Sequence, residues 1–530
     1  MTTKHLDGYY PGGYTLSARY SKLVIDKTAD VRGSGVTAPY FATVVNRGAI
    51  YGSTQGVYLE GGGSLINGSE AEADASISGV TAKGVTTITN FGTIYGAAHS
   101  GAGVILKAGG SIENGSAGDS AALITGAFGV YASGAAATVA NFGTIHAGAD
   151  YSPGVRLLVG GSLTNGSTSD SSALIYGQYG VEAAGAATVV NFGTIEGTIG
   201  VSVELYGAGS EVVAEAGSTF IGKMGGGGGR LALAGGGTGT ISNLGGGGTL
   251  TGAVDADFSG FGSYEIAAGG TWTLSGSNRL NAASVLIDEG TLINRGALKI
   301  SGTISIEASA QLKLASGNVS AGPTGAASIV DDGLLISSPG TGEITVGAHV
   351  SDLGVVEVAA GTLDFTSHLL GTGVLKIDRR ATLEVDAAAV STLTVSFNGP
   401  AATLALKTPK AFDATLSGLA AGDVIDLLAI KATGASVNGD DQLVIVNGAR
   451  TVASLQLSGN YIGATFKTAS DGHGGTNVEL ISGGGAEVPS VPRMAAAMAS
   501  LVASAGAAVP SHSFPAGCAP TLANPHVHLQ

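Results

Sequence analysis

Val189-Val190-Asn191-Phe192-Gly193-Thr194-Ile195-Glu196-Gly197 decides the fold, because the chain writes this phrase four times. The earlier copies are Val44-Val45-Asn46-Arg47-Gly48-Ala49-Ile50-Tyr51-Gly52, Ile88-Thr89-Asn90-Phe91-Gly92-Thr93-Ile94-Tyr95-Gly96 and Val139-Ala140-Asn141-Phe142-Gly143-Thr144-Ile145-His146-Ala147-Gly148. Their asparagines lie 44, 51 and 50 residues apart. A second phrase is interleaved 21 to 24 residues after the first. It reads Gly63-Ser64-Leu65-Ile66-Asn67-Gly68-Ser69, then Gly110-Ser111-Ile112-Glu113-Asn114-Gly115-Ser116, then Gly161-Ser162-Leu163-Thr164-Asn165-Gly166-Ser167. The unit therefore splits into two half-units, each carrying a strand, then Asn, then Gly.

The local pattern is that of short strands. Pieces such as Thr188-Val189-Val190 and Gly103-Val104-Ile105-Leu106 alternate with clusters of Gly, Ser and Asn, and no segment before residue 490 keeps a helical period. Asn and Gly supply the positive-φ positions that sharp corners need. A half-unit of about 22 to 25 residues makes one turn of a three-faced coil, and such coils stack at about 4.8 Å with equivalent residues in register. Ile50, Ile94, Ile145 and Ile195 are then expected to stack inside, and Asn46, Asn67, Asn90 and Asn114 to form a corner ladder of amides. A propeller blade of about 40–50 residues is the competing reading. The likeness between half-units, and a single Trp272 with no Trp-Asp punctuation, speak against it.

Composition agrees with a stacked core. Of 530 residues 90 are Gly, only 12% are charged, and the net charge is −15, which disfavours a nucleic-acid partner. The one cysteine, Cys518, leaves no intrachain disulfide and no cysteine-based zinc site. Met1 to Tyr10 hold no signal-peptide core, and the 16 residues Met494 to Val509 are too short and too rich in Ala and Gly for a membrane span. The expected location is secreted or on a cell surface, with the export route open.

The expected organisation is lead-in strands over 1–43, a regular solenoid over 44–224, a glycine-rich stretch over 225–249, a degenerate solenoid over 250–411, a C-terminal β cap module over 412–482 and an Ala/Pro/His tail over 483–530. The glycine runs Gly225 to Gly229 and Gly245 to Gly248 read either as a flexible joint or as tight corners inside a continuing solenoid. Gly270-Thr271-Trp272-Thr273-Leu274, Gly290-Thr291-Leu292 and Gly361-Thr362-Leu363 are strand entries of the degenerate part. In the cap, Gly422-Asp423-Val424-Ile425-Asp426-Leu427 and Gln442 to Val446 read as strands.

The phrases Asn-Phe-Gly-Thr-Ile, Gly-Ser-Leu-x-Asn-Gly-Ser and Gly-Thr-Leu resemble the repeats of bacterial autotransporter passengers and haemagglutinin-like surface adhesins over about residues 40–411. The resemblance implies a right-handed parallel β-helix and a surface or extracellular role. It departs from the family at the C-terminal translocator barrel, for which Pro525-His526-Val527-His528-Leu529-Gln530 leaves no room. Residues 418–482, with Ser470-Asp471-Gly472-His473-Gly474-Gly475-Thr476, resemble the C-terminal modules of large exported repetitive proteins.

Parallel β-helices also host polysaccharide lyases and hydrolases, whose chemistry needs two carboxyls about 5–10 Å apart. Asp255 with Asp257 would share a strand face, whereas Asp331–Asp332 and Asp440–Asp441 suit turns. Gly472-His473-Gly474 lacks the companion elements of a pectin-hydrolase site. A single Asp471-containing turn is too little for a glycine-rich calcium repeat, and nothing in the sequence places Asp423 or Asp426 beside it. His526 and His528 have no third ligand nearby. Asn67, Asn114 and Asn165 match the Asn-x-Ser glycosylation pattern but are accounted for as corner residues. No catalytic, cofactor-binding or metal-binding residue is therefore assigned. The expectation is a non-enzymatic structural or adhesive protein meeting cell-surface, matrix or polysaccharide ligands; the alternative is a polysaccharide-binding or polysaccharide-cleaving β-helix.

Overall fold

The computed structural model describes residues 2–96, 101–148, 152–323 and 327–482. These form a parallel β-solenoid of about 20 turns. The one helical element among the described residues is a 3-10 turn, Pro409–Ala411. The first face is a 17-stranded sheet, running from Thr3–Leu6 through Lys22–Ile25, Ala42–Asn46, Gly63–Asn67 and Thr86–Asn90. Every neighbour in that series is the next coil, and every pairing is parallel. Residues 2–43 thus already supply coils of the stack. The coils shorten in the C-terminal half, where Val285 pairs with Thr303 and Val355 with Val374. Both facts raise the number of turns above what coils of 22 to 25 residues over the regular and degenerate repeats alone would supply.

The corner after the first face holds the amide ladder. Asn46 Nδ2 donates to Asn67 Oδ1 at 2.8 Å, and the same bond repeats through Asn90, Asn114, Asn141, Asn165 and Asn191 at 2.7 to 2.9 Å. The coils between these asparagines take 21, 23, 24, 27, 24 and 26 residues. All seven are buried, so each also spends its second amide proton on a backbone carbonyl, as Asn141 does on Gly143 O at 3.0 Å. Asparagine suits the column because its amide both donates and accepts, and so passes a bond to the next coil without end. The two phrases differ in the turn beyond the asparagine. After Asn67, Asn114 and Asn165 the glycine takes a positive φ of 77 to 82° and opens a short excursion closed by Ser69–Glu72, Ser116–Asp119 and Ser167–Asp170. After Asn90, Asn141 and Asn191 the turn is tight, and a Cβ on Gly92, Gly143 or Gly193 would lie 2.1 to 2.2 Å from a carbonyl of the coil before. The 50-residue period is one coil of each kind.

Inside, Ile50, Ile77, Ile94, Ile124, Ile145, Ile175 and Ile195 form one unbroken column in register. All are 0% exposed, and each contributes on the order of 1.5–3 kcal/mol by burial. The column dictates a second feature. A Cβ on Gly56, Gly103, Gly129, Gly154 or Gly180 would come within 2.4 to 2.8 Å of an isoleucine Cγ2 one coil on. Each of these glycines lies at the entry to the third strand of its coil, where the isoleucine of the next coil leaves no room for a side chain.

Residues 225–249 keep the stack and add to it. Arg230–Ala234 pairs in parallel with Glu211–Glu215 on one side and Ser263–Ile266 on the other. On the second face, Gly237–Ser242, Gly248–Gly252 and Ala256–Ser259 run antiparallel to one another as an inserted meander. Beyond it the three faces separate into three sheets. At the C-terminal end Val424–Leu427 pairs in parallel with Thr403–Leu406 and antiparallel with Thr476–Ser482. Gly434–Val437, Gln442–Asn447 and Arg450–Ser458 form a second antiparallel set. The change from parallel to antiparallel closes an edge that would otherwise template another strand. The tail 483–530, with Cys518, His526 and His528, lies outside the described residues.

Replacing Asn141 by Ala should leave Asn114 without its acceptor and Asn165 without its donor. At about 1–3 kcal/mol for each buried group left unpaired, chemical denaturation should detect a clear loss of stability, whereas Thr138→Ala on the outer side of the same strand should cost little.

Candidate functional site

The outer side of the second and third faces in the N-terminal half carries aromatic, cationic and carboxylate side chains in two columns flanking the glycine bend. In the first column Arg32 is followed by Tyr51, Ser78, Tyr95, Thr125, His146, Tyr176 and Glu196. They alternate with the buried isoleucines and so lie on the outer side, although Ser78 is itself buried, its Oγ donating to Gly52 O at 3.1 Å. The Arg32 guanidinium lies 5.2 Å from the Tyr51 ring and 6.0 Å from that of Tyr9, and its Nε bonds Asp30 at 2.9 Å. The small Ser78 lets the rings of Tyr51 and Tyr95 approach to 6.3 Å. The rings of His146 and Tyr176 meet at 4.9 Å, tilted by 47°, and Thr125 Oγ1 meets His146 Nδ1 at 3.3 Å. The second column reads Tyr58, Thr81, Ile105, Tyr131, Arg156, Glu182 and Glu204. Arg156 pairs with Glu182 at 3.2 Å. Glu204 lies one coil further, over Gly225, and burial first, then the nearby Glu182, push its carboxyl above the usual range while Lys223 pulls it down.

The first face offers something different. One of its outward rows is a series of hydroxyl pairs, with Ser64 on Thr43 at 3.1 Å, Ser111 on Thr87 at 3.2 Å and Ser162 on Thr138 at 3.2 Å. A separate cleft of about 590 Å³ opens where the loop Gly245 to Gly247 overhangs the start of the third sheet, with Arg279 and Lys299 stacked in register at its side.

The carboxylates singled out in the sequence fall in different places. Asp255 and Asp257 both point outward, as same-face residues should, and Asp255 Oδ1 accepts the Gly252 N–H at 3.0 Å. Asp440 and Asp441 form the turn before Gln442–Asn447, with Asp441 at φ 57°. Asp331 and Asp332 part company: Asp332 is exposed, while Asp331 is 0% exposed in the column that the asparagines occupy earlier. Asp288 and Asp352 share that column. Asp471 Oδ1 caps its own hairpin turn, accepting the N–H groups of His473 at 2.7 Å and Gly475 at 2.9 Å. Those bonds, His473 first, hold its carboxyl below the usual range. The fold brings Asp426 close enough for Asp471 to raise its carboxyl further after burial has done so, but Asp423 instead caps Ala402 and Ala420. The glycosylation-pattern residues Asn67, Asn114 and Asn165 are 0% exposed.

Sequence reasoning missed the aspartate column, although its signal is present: Asp288-Glu289-Gly290, Asp331-Asp332-Gly333 and Asp352-Leu353-Gly354 repeat the Asn-Phe-Gly phrase with Asp for Asn. A carboxylate accepts but cannot donate, so the ladder cannot continue as it does in asparagine. Asp331 Oδ1 and Oδ2 accept the N–H groups of Gly333 and Leu335 at 3.1 and 3.2 Å, yet neither oxygen of Asp352 has a hydrogen-bond partner. Burial is the main cause that raises Asp288 and Asp331 to about 7 and Asp352 to about 8, the last with help from Asp331 in the coil below.

Comparison with models of known protein families and with curated proteins finds no match for this chain. Among the described residues no helix is long and apolar enough to cross a membrane.

The buried aspartates make stability depend on pH. Their folded pKa values lie above the unfolded ones, so the stability that they contribute is present in acid and is lost as pH rises through about 7 to 8. Thermal unfolding should give a higher midpoint at about pH 6 than at about pH 9. Asp352→Asn, which restores a donor to the column, should raise the midpoint at the alkaline pH and flatten the difference.

Proposed function

We propose that this chain is a non-enzymatic adhesive or structural rod displayed outside a bacterial cell, and that the second and third faces of its N-terminal half are where it meets a matrix, a neighbouring surface or a polysaccharide. At the stacking repeat, about 20 turns make a rod on the order of 95 Å long. The observation that carries the reading is the pair of outward columns from Arg32 to Glu196 and from Tyr58 to Glu204. Tyrosine offers a flat apolar ring with a polar tip, and arginine a planar fork of donors. Set at regular spacing along a stiff rod, such groups suit a ligand that is itself repetitive. Many weak contacts then add through effective concentration.

Surface fractionation of the native host with an antibody to the chain tests the location, and cytoplasmic protein alone would remove the adhesive role. The contact face is tested by binding of the full chain to immobilised polysaccharides and matrix proteins. The triple variant Tyr51→Ala, Tyr95→Ala, Tyr176→Ala should lose about tenfold or more in apparent affinity through lost multivalency. Thr87→Ala with Thr138→Ala, on the first face, should bind as the parent does. Equal losses in both variants would overturn the assignment of the face.

A polysaccharide-cleaving reading is favoured by one specific observation. Glu182 and Glu204 stand in register on adjacent coils, the former paired with Arg156 and the latter raised by burial, and glycoside hydrolysis works with two carboxyls in one site. Turnover of acidic polysaccharides by the parent, abolished in both Glu182→Gln and Glu204→Gln, would establish it; no turnover by the parent leaves the binding role.

A further inference from the structure

The third sheet of the C-terminal half carries a side-chain cluster that the proposed contact face does not use. Asp364, in Thr362–Phe365, pairs in register with Glu384, in Thr382–Val385. Asp386 comes directly after that strand, its N–H bonded to Phe365 O at 3.0 Å. One carboxylate oxygen from each of the three residues lies within 4.8 Å of the others. Asp364 sits between Leu363 and Phe365, both fully buried, and therefore points outward. Even so it is only 7% exposed, and its Oδ1 accepts no hydrogen bond. Asp386 Oδ1 is likewise buried without a partner. An outward carboxylate that is covered and left unpaired is costly unless something meets it.

One cation is already present. Lys407, a coil further on, bonds Asp386 Oδ2 at 2.5 Å. A single ammonium faces three carboxylates, with Glu343 and Asp426 adding negative potential from the same sheet. Lys407 engages the oxygen of Asp386 opposite the orphaned one, so the unpaired oxygens of Asp364 and Asp386 stay available.

We propose that Asp364, Glu384 and Asp386 form a calcium site on the outer side of the third sheet. Calcium takes carboxylate oxygens at about 2.3–2.6 Å, so two oxygens that share one ion stand at most about 5 Å apart, which the cluster satisfies. It also accepts water in its remaining positions and tolerates irregular geometry. Two of the donors come from one coil and the third from the coil before, so a bound ion clamps adjacent coils through their side chains as well as their backbones.

Calorimetric titration of the full chain with calcium chloride should show one site per chain, and calcium should raise the thermal midpoint relative to chelator. Asp364→Asn and Glu384→Gln should each lose about tenfold or more in affinity and most of the midpoint shift, while matching or exceeding the parent's midpoint in chelator, because each removes a like charge. Glu357→Gln, on the second face, serves as control and should keep the site. No saturable calcium binding by the parent would overturn the proposal, as would equal binding by Asp364→Asn and Glu384→Gln, or a magnesium response equal to that of calcium.

Discussion

No coil of this protein can satisfy its own backbone. Each short strand has both of its hydrogen-bonding edges turned along the axis, so every N–H and C=O on it depends on the coil above or below. The side chains obey the same rule. An asparagine of one coil completes the asparagine of the next, and an isoleucine of one coil rests on the bare glycine of another. The rod is thus held by contacts of one kind repeated along its length, and both ends need a different solution. Thr476–Ser482 provides it at one end by running antiparallel over Val424–Leu427.

That dependence explains where chemistry collects. The interior is committed to packing, so outward positions alone are free to vary, and stacking brings residues 18 to 27 apart in sequence to adjacent rungs. Arg156, Glu182 and Glu204 become neighbours in this way, as do Asp364 and Glu384. The same geometry turns a scattered set of tyrosines into a column. In the C-terminal half the interior departs from the rule at one corner, where Asp288, Asp331 and Asp352 stand in place of asparagine and bring a pH dependence into the core.

The asparagine ladder and the isoleucine column could be read directly, because Asn-Phe-Gly-Thr-Ile and Asn-Gly-Ser recur with little change. Ile77, Ile124 and Ile175 escaped the reading because the residues around them differ, although Gly-Val pairs such as Gly79-Val80 and Gly129-Val130 mark the same point of each coil. The meander within 237–259 was hidden for another reason: glycine permits a tight corner and an antiparallel turn equally well. The carboxylate pairs were beyond reach of a sequence scan, since coil length varies from 18 to 27 residues and no fixed spacing announces a neighbour. Only coil-by-coil register reveals them.

The amide ladder has a consequence for how such a chain changes over generations. Asn67 through Asn165 each make the same bond upward and downward, and tight and looped coils alternate. A stretch of one tight and one looped coil can therefore be duplicated or excised by recombination between the repeats, and the new junction closes with the bonds that the old one had. Length then becomes a variable that is nearly neutral for folding and that changes in steps of about 10 Å, two coils at a time.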